Sequence, residues 1–147
     1  DAEAIELLAE RADQWGELIR RFRGKVEMGL RVSRPGRTEV EPAGIVEAEE
    51  GVSGREYLQR RRQSLQAERA SREEAGETLR LVEREMEGVA EESRVQVQPR
   101  KERLGVVAHL VHADGVRAYL EQVRAVQRAM PELRLVASGP WAPYSFV

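Results

Sequence analysis

Two histidines and an aspartate lie close together in the sequence and are the residues best suited to metal binding. His109 and His112 are three positions apart in an apolar, β-branched stretch, and Asp114 follows two positions later. Side chains alternate between the two faces of a strand, so residues three apart point in opposite directions. They would share one ion only if the strand ended between them. We therefore expect one partly buried histidine and one at a strand end, with no bound metal and no cofactor.

Charged side chains are abundant, but they are not arranged as catalytic groups usually are. Charged residues make up 34% of the chain, and glutamates and arginines alternate closely in stretches such as residues 83–87, which is typical of solvated helix faces. No serine lies in a nucleophile elbow, no glycine-rich phosphate loop follows a predicted strand, and there are no cysteines for thiolate chemistry. The roles that an active site needs have no candidates, so the sequence predicts a protein that is not an enzyme.

Nucleic acids and membranes are also poor candidates for partners. The net charge is −2, with 24 basic and 26 acidic residues, and the basic run at residues 60–62 lies in a stretch of mixed charge. No apolar run approaches the roughly 20 residues that span a bilayer, and no signal peptide opens the chain. The absence of cysteines fits a cytosolic protein. The chain begins with Asp1 rather than methionine, and we expect it to be the C-terminal part of a longer protein.

The first part of the chain changes from a helical to a strand-like pattern. Apolar residues recur at alternating spacings of three and four up to Phe22, which predicts an amphipathic N-terminal helix that stops at Gly24. From Lys25 to Ser33 apolar and polar residues alternate, which predicts a strand with one buried face. Residues 34–53 combine glycines and prolines with five glutamates, so we expect an exposed acidic loop there.

The longest predicted element is a helix from about residue 55 to about residue 92. Ser53, followed three positions later by Glu56, has the spacing of a capping box. The second half carries a heptad seam, formed by Ala75, Leu79, Val82, Met86 and Val89. The middle is almost entirely polar, so we expect a long, partly coiled-coil-like helix whose two ends pack against apolar surface.

Two strands, a helix and a last strand are predicted to follow. Val95 and Val97 alternate with polar residues, and residues 104–112 are apolar and β-branched enough for a central strand. Asp114 is the expected N-cap of an amphipathic helix that ends at Pro131, and residues 133–138 alternate as a last strand. The order predicts one α+β domain over residues 1–147, with a ferredoxin-like β-α-β-β-α-β sheet. The preceding helix would cover the other face of the sheet or dock on the long helix.

The C-terminal tail, residues 139–147, is unusually rich in aromatic residues and proline. It holds three of the seven aromatic residues and two of the six prolines, and the prolines favour an extended path over a helix. Side chains this apolar are seldom left in a loose, solvated tail. Two interpretations stay open: the rings fold back and seal an edge of the core, or an exposed patch binds a partner, formed by Trp141, Pro143, Tyr144 and Phe146.

The tail and two earlier segments form three motifs in a fixed order. The tail reads Gly-Pro-Trp-Ala-Pro-Tyr-Ser-Phe from Gly139 to Phe146. The strand entry is Arg23, Gly24, Lys25, Val26 and Glu27, followed by Met28, and the start of the long helix contains Gly54, Arg55, Tyr57, Leu58 and Arg61. Together these segments resemble the gas vesicle protein F/L family. That family typically has proline at Ala142 and often tryptophan at Met28, so the chain departs from the pattern at these two positions.

The resemblance implies a non-enzymatic accessory role in gas vesicle assembly, at the gas vesicle or in the cytoplasm. The partners it implies are the small hydrophobic shell protein and other gas vesicle accessory proteins. It also implies a further domain before this region, and it does not separate the F from the L branch. Two alternatives remain: a generic scaffold that dimerises through the heptad seam, and a ligand-binding ferredoxin-like domain. The oligomeric state does not follow from any of these patterns.

Overall fold

The computed structural model describes residues 15–37 and 53–147. Residues 15–22 are helical and are called α1. The elements that follow are β1 (Lys25–Ser33), α2 (Gly54–Glu85), β2 (Glu92–Arg100), β3 (Arg103–His112), α3 (Val116–Ala129) and β4 (Arg134–Trp141). Short 3-10 turns lie before α3 and after β4, at Ala113–Gly115 and Tyr144–Phe146. The described chain therefore combines helices with a four-stranded sheet, which confirms the α+β class.

The four strands form one antiparallel sheet with the order β2-β3-β1-β4. β3 lies between β1 and β2, and β1 pairs with both β3 and β4. The alternation predicted for β1 is confirmed, because Met28, Leu30 and Val32 are buried on one face. The register sets Met28 opposite His109 and Leu30 opposite Val107, so side chains of the two central strands meet in rows.

Helices α2 and α3 pack on this face of the sheet, which we call the helix face. The main core lies between them and includes Leu30, Leu79, Val82, Met86, Leu104, Val107, Tyr119 and Val123. Gly105 of β3 allows α2 to approach closely. A Cβ at Gly105 would lie 2.2 Å from the Gln96 carbonyl oxygen and 2.7 Å from Cδ1 of Leu79. A larger residue would therefore have to push α2 or β2 away from β3.

Helix α2 begins where the sequence predicts and ends earlier. Ser53 Oγ accepts a hydrogen bond from the Glu56 N–H, and the Glu56 carboxylate accepts one from the Ser53 N–H, so the predicted capping box is confirmed. The helix ends at Glu85, whereas the prediction extended it to about residue 92. The difference arises because Val89 keeps the heptad spacing but reaches the core from the turn after the helix.

The heptad seam faces the chain's own sheet. Its helical members are fully buried in the main core: Ala75, Leu79, Val82 and Met86 at the C-cap. The expectation that both ends of α2 pack is not met within the described residues, since Leu58 and Leu65 in the first half are exposed. Although α2 has 32 residues, no helix in the described ranges is both long and apolar enough to cross a membrane.

The opposite face of the sheet, which we call the tail face, has a smaller apolar cluster of its own. Ala108 and Leu110 of β3 are buried there by Phe146, with the half-buried Phe22 of α1 packed against them. Because strand side chains alternate, these two residues point away from the helices. Of the two positions left open for the N-terminal helix, its described part thus takes the one on the tail face.

Other predictions are corrected or lie outside the described residues. Asp114 is not the N-cap of α3: it lies in the preceding 3-10 turn, and Gly115 takes the N-cap position without a side-chain hydrogen bond. Strand β4 continues to Trp141, past the predicted end at residue 138, because pairing with β1 resumes after an irregularity. Residues 38–52 of the acidic loop predicted at 34–53 lie outside the described residues, as does the helix predicted before residue 15.

Candidate partner-binding site

Strand β4 carries the first residues of the tail along the edge of the sheet. Trp141 lies opposite Glu27 of β1, beyond an irregularity in the register. Gly139 has a φ of +113°, which residues with a side chain rarely adopt. A Cβ at Gly139 would also lie 2.8 Å from the Glu27 carbonyl oxygen. The glycine of the tail motif is therefore required for this part of the chain to stay against β1.

Ser145 and Glu27 join the tail motif to the strand-entry motif. The Ser145 backbone N–H donates to Glu27 Oε2 at 2.8 Å, and the Ser145 hydroxyl donates to Oε1 at 2.7 Å. Both residues are half-buried, and hydrogen bonds to an ionised carboxylate are stronger than those between neutral groups. Sequence reasoning missed this contact, because it quoted Glu27 and Ser145 as members of two separate motifs and paired neither with the other. Their place in the two motifs was the available signal, and it does not name a partner.

Phe146 is the hydrophobic anchor of the tail. Its side chain is only 2% exposed and packs with Phe22, Ala108 and Leu110 on the tail face. The guanidinium carbon of Arg94 lies 5.6 Å from the centre of the ring, within the range of a cation–π interaction. The turn after β4 is thus held by one buried ring and by two hydrogen bonds to Glu27.

Trp141 and Tyr144 remain exposed beside this anchor, and we call them the aromatic pair. Trp141 is 58% exposed and Tyr144 is 80% exposed, while Pro143 between them is half-buried. The first interpretation, a ring folded back onto the sheet, thus applies to Phe146, while partner binding by the exposed rings stays a prediction. Phe146 seals the small cluster and is not available at the surface, although it was among the four residues predicted to bind a partner. The aromatic pair is free of the core.

The two histidines have different environments. His109 is fully buried on the helix face, and its Nδ1 lies 2.9 Å from the Tyr119 hydroxyl oxygen. Burial lowers the pKa of His109 to about 4 and raises the pKa of Tyr119. His112 is exposed at the end of β3, with its Nε2 3.5 Å from a Glu91 carboxylate oxygen. Among the described residues, no three His, Cys, Asp or Glu side chains are grouped so as to hold a metal ion.

Comparison with known sequences relates the chain to gas vesicle proteins. The sequence model of a family described as gas vesicle synthesis protein GvpL/GvpF matches residues 1–147. The chain is 32% identical over 158 residues to gas vesicle protein L of Streptomyces sp. (strain CB03234), which covers 99% of this chain and 57% of that protein. The chain thus spans little more than half the length of this relative.

Crystal structures of two gas vesicle proteins are similar to this fold. GvpF from Anabaena sp. PCC7120 has a TM-score of 0.61, covering 91% of this chain and 55% of that chain. GvpF from Microcystis aeruginosa has a TM-score of 0.63, covering 99% of this chain and 64% of that chain. Each is 15% identical in sequence, so these likenesses concern the fold alone. Because the family model matches residues 1–147 and the Streptomyces protein is 32% identical, the chain belongs to the gas vesicle synthesis protein GvpL/GvpF family.

Proposed function

We propose that this chain is part of an accessory protein of gas vesicle assembly. Its partners are the small hydrophobic shell protein, other gas vesicle accessory proteins, or both, and its role is structural rather than enzymatic. It acts at the gas vesicle or in the cytoplasm. Family membership supports the role in gas vesicle formation. The observation that carries the binding part is the exposure of the aromatic pair on a tail that is otherwise anchored.

The anchor suits the aromatic pair to binding. Large aromatic side chains often supply most of the energy of an interface, because they bury much apolar area with few rotatable bonds. A site that is already ordered also loses less conformational entropy on binding than a loose tail does. Ser145 and Phe146 follow Tyr144 directly and are both tied to the tail face. The position of Tyr144 is therefore largely set before a partner arrives.

The chemistry of the aromatic pair indicates an apolar partner surface. Trp141 and Tyr144 each offer a mainly apolar ring with one hydrogen-bonding group at its edge. Pro143 adds a half-buried apolar ring between them. A shell protein with an apolar surface fits this combination. The first half of α2, which is charged and exposed, would keep such a complex in solution.

We also propose that the sheet, α2 and α3 form a ferredoxin-like unit. The strand order β2-β3-β1-β4 and the packing of both helices on one face support this assignment. The coiled-coil scaffold receives less support, because the heptad seam is buried against the sheet. The ligand-binding alternative also receives less support. The open cleft beside β3 is lined by Glu91 and His112, and the Glu91 carboxylate already pairs with Lys25 and lies beside His112. The charged groups of this cleft therefore contact one another rather than facing a ligand.

A capture experiment with matched tryptophan variants tests the proposal. The wild-type chain, the double variant Trp141→Ala/Tyr144→Ala and the control Trp15→Ala are each incubated with purified shell protein and, separately, with other accessory proteins. Trp15 in α1 is 60% exposed, against 58% for Trp141, so the control removes a tryptophan of similar exposure elsewhere. Far-UV circular dichroism checks that all three chains are folded.

The double variant and the Trp15 control should bind differently. An aromatic hot spot contributes about 2 kcal/mol or more, so the double variant should bind roughly thirtyfold more weakly or worse. The Trp15 variant should bind as the wild type does. Equal binding by all three chains would show that the aromatic pair is not part of the binding site. The site would then have to lie on the sheet or on α2. If the wild-type chain captures none of these proteins, the proposed class of partner is wrong.

A further inference from the structure

Strand β4 is at one edge of the sheet, and part of its outer backbone is occupied by a side chain from α3. Among the described strands β4 pairs only with β1. In an antiparallel pair, alternate residues direct their N–H and C=O groups toward the neighbouring strand or away from it. The Leu135 N–H donates to Oε1 of Gln127 at 2.8 Å. Leu135, and with it Ala137 two positions on, therefore directs its backbone groups away from β1.

Gln127 makes the contacts that a neighbouring strand would make at the start of this edge. Its Oε1 accepts the Leu135 N–H, and its Nε2 donates to the Leu133 carbonyl at 2.6 Å and, at 3.4 Å, to the Met130 carbonyl. A side-chain amide has the same donor and acceptor groups as a peptide unit. Gln127 bonds the Leu135 N–H and the Leu133 carbonyl at the same time. It therefore takes the place that a peptide group of a further strand would occupy.

The two edges of the sheet differ in how well their side chains discourage pairing. The β2 edge exposes Arg94, Gln96 and Gln98, and Pro99 has no N–H to donate. Strand β4 carries no charged residue from Leu135 to Trp141, and Val136 is exposed. An uncharged, apolar edge is the kind that adds to a strand of another molecule. Protection of β4 must therefore come from its backbone contacts.

We infer that Gln127 prevents β4 from pairing with β4 of a second copy of this chain. Such pairing would need the outward Leu135 N–H, which Gln127 already holds. Beyond Ser138 the register with β1 is interrupted, and Pro140 has no N–H to donate on either side of the strand. In the regular part of the strand, up to Ser138, the outward groups left are the Leu135 carbonyl and the N–H and C=O of Ala137, too few for a stable ladder between two chains. The inference concerns self-association and does not depend on the proposed gas vesicle partners.

The test compares two glutamine-to-alanine substitutions on the same helix in the full 147-residue chain. Gln127→Ala removes the amide from β4. Gln122→Ala is the control, because the Gln122 Nε2 donates to the Glu85 carbonyl of α2 at 2.7 Å and so contacts a different element. Amide hydrogen exchange at Leu135 is measured by NMR for both variants and for the wild type. Light scattering gives the mass of each chain over a hundredfold range of concentration.

In the Gln127 variant, Leu135 exchange should become roughly five- to tenfold faster, as the loss of one hydrogen bond implies. Its mass should rise toward that of a dimer with concentration, and the amide signals that shift should centre on residues 135–138. The Gln122 variant should match the wild type in both measurements. Unchanged exchange at Leu135 would show that Gln127 does not close the edge. Faster exchange without added association, or association centred on other residues, would contradict the inference. Gln127 would then only stabilise the connection between α3 and β4.

Discussion

Replacing Phe146 with alanine removes the ring that anchors the tail. Fully burying a phenylalanine side chain is worth roughly 1.5–3 kcal/mol, and Phe→Ala in a rigid core costs about 3–5 kcal/mol because a cavity remains. Phe146 is 2% exposed, but it lies in a short turn outside the main core, so the turn has room to relax. We therefore expect the free energy of unfolding to fall by about 3 kcal/mol, in the region where the two ranges meet.

Urea unfolding followed by far-UV circular dichroism measures this change, with Tyr144→Ala as the matched control. Tyr144 is 80% exposed, and truncating it should alter the free energy of unfolding by less than about 0.5 kcal/mol. The same variants separate stability from binding. Tyr144→Ala should weaken partner capture alone, while Phe146→Ala should weaken both. A Phe146 variant as stable as the wild type would refute the division of the tail into an anchor and an exposed pair.

Two polar contacts yield further predictions. A double-mutant cycle of Glu27→Ala and Ser145→Ala should show a coupling energy of about 1 kcal/mol for the bond from the Ser145 hydroxyl, since both residues are half-buried. The backbone N–H of residue 145 stays in place, so additive effects would contradict the hydroxyl bond. Burial lowers the pKa of His109 from 6.5 to about 4, so between these pH values the unfolded chain binds a proton that the folded chain does not. The free energy of unfolding should therefore fall by up to about 3 kcal/mol as pH drops through this window. His109→Gln should lack that component, and pH profiles of the same shape for both chains would disprove it.

The regular elements could be predicted where the information is local. Strand β1 was predicted at its observed bounds because the alternation from Lys25 to Ser33 is uninterrupted and Gly24, with a φ of +72°, ends the preceding helix. The start of α2 followed from the hydrogen-bonding capacity of Ser53 and Glu56 alone. The predicted end of α2 is wrong because the spacing of apolar residues shows which side chains reach the core, and not whether the backbone there is helical. Val89 does so from a turn as well as it would from a helix.

Contacts between distant segments could not be predicted in this way. Glu27 and Ser145 are 118 residues apart, and nothing in either segment specifies the other as its partner. The role of Gln127 has no signal in the sequence of α3, because its contacts depend on the path of the chain after the helix. The fate of each aromatic residue in the tail likewise depends on which face of the sheet the turn reaches.

The geometry of that turn explains why the tail is divided between anchor and exposed pair. In a 3-10 helix three residues complete one turn, so consecutive side chains point in three directions about 120° apart. Tyr144, Ser145 and Phe146 occupy such a turn. The half-buried Glu27 carboxylate would be costly without hydrogen bonds, and Ser145 supplies both a backbone N–H and a hydroxyl. With Ser145 directed at Glu27 and Phe146 directed into the small cluster, the third direction faces away from both. The exposure of Tyr144 therefore follows from the way the anchor is built.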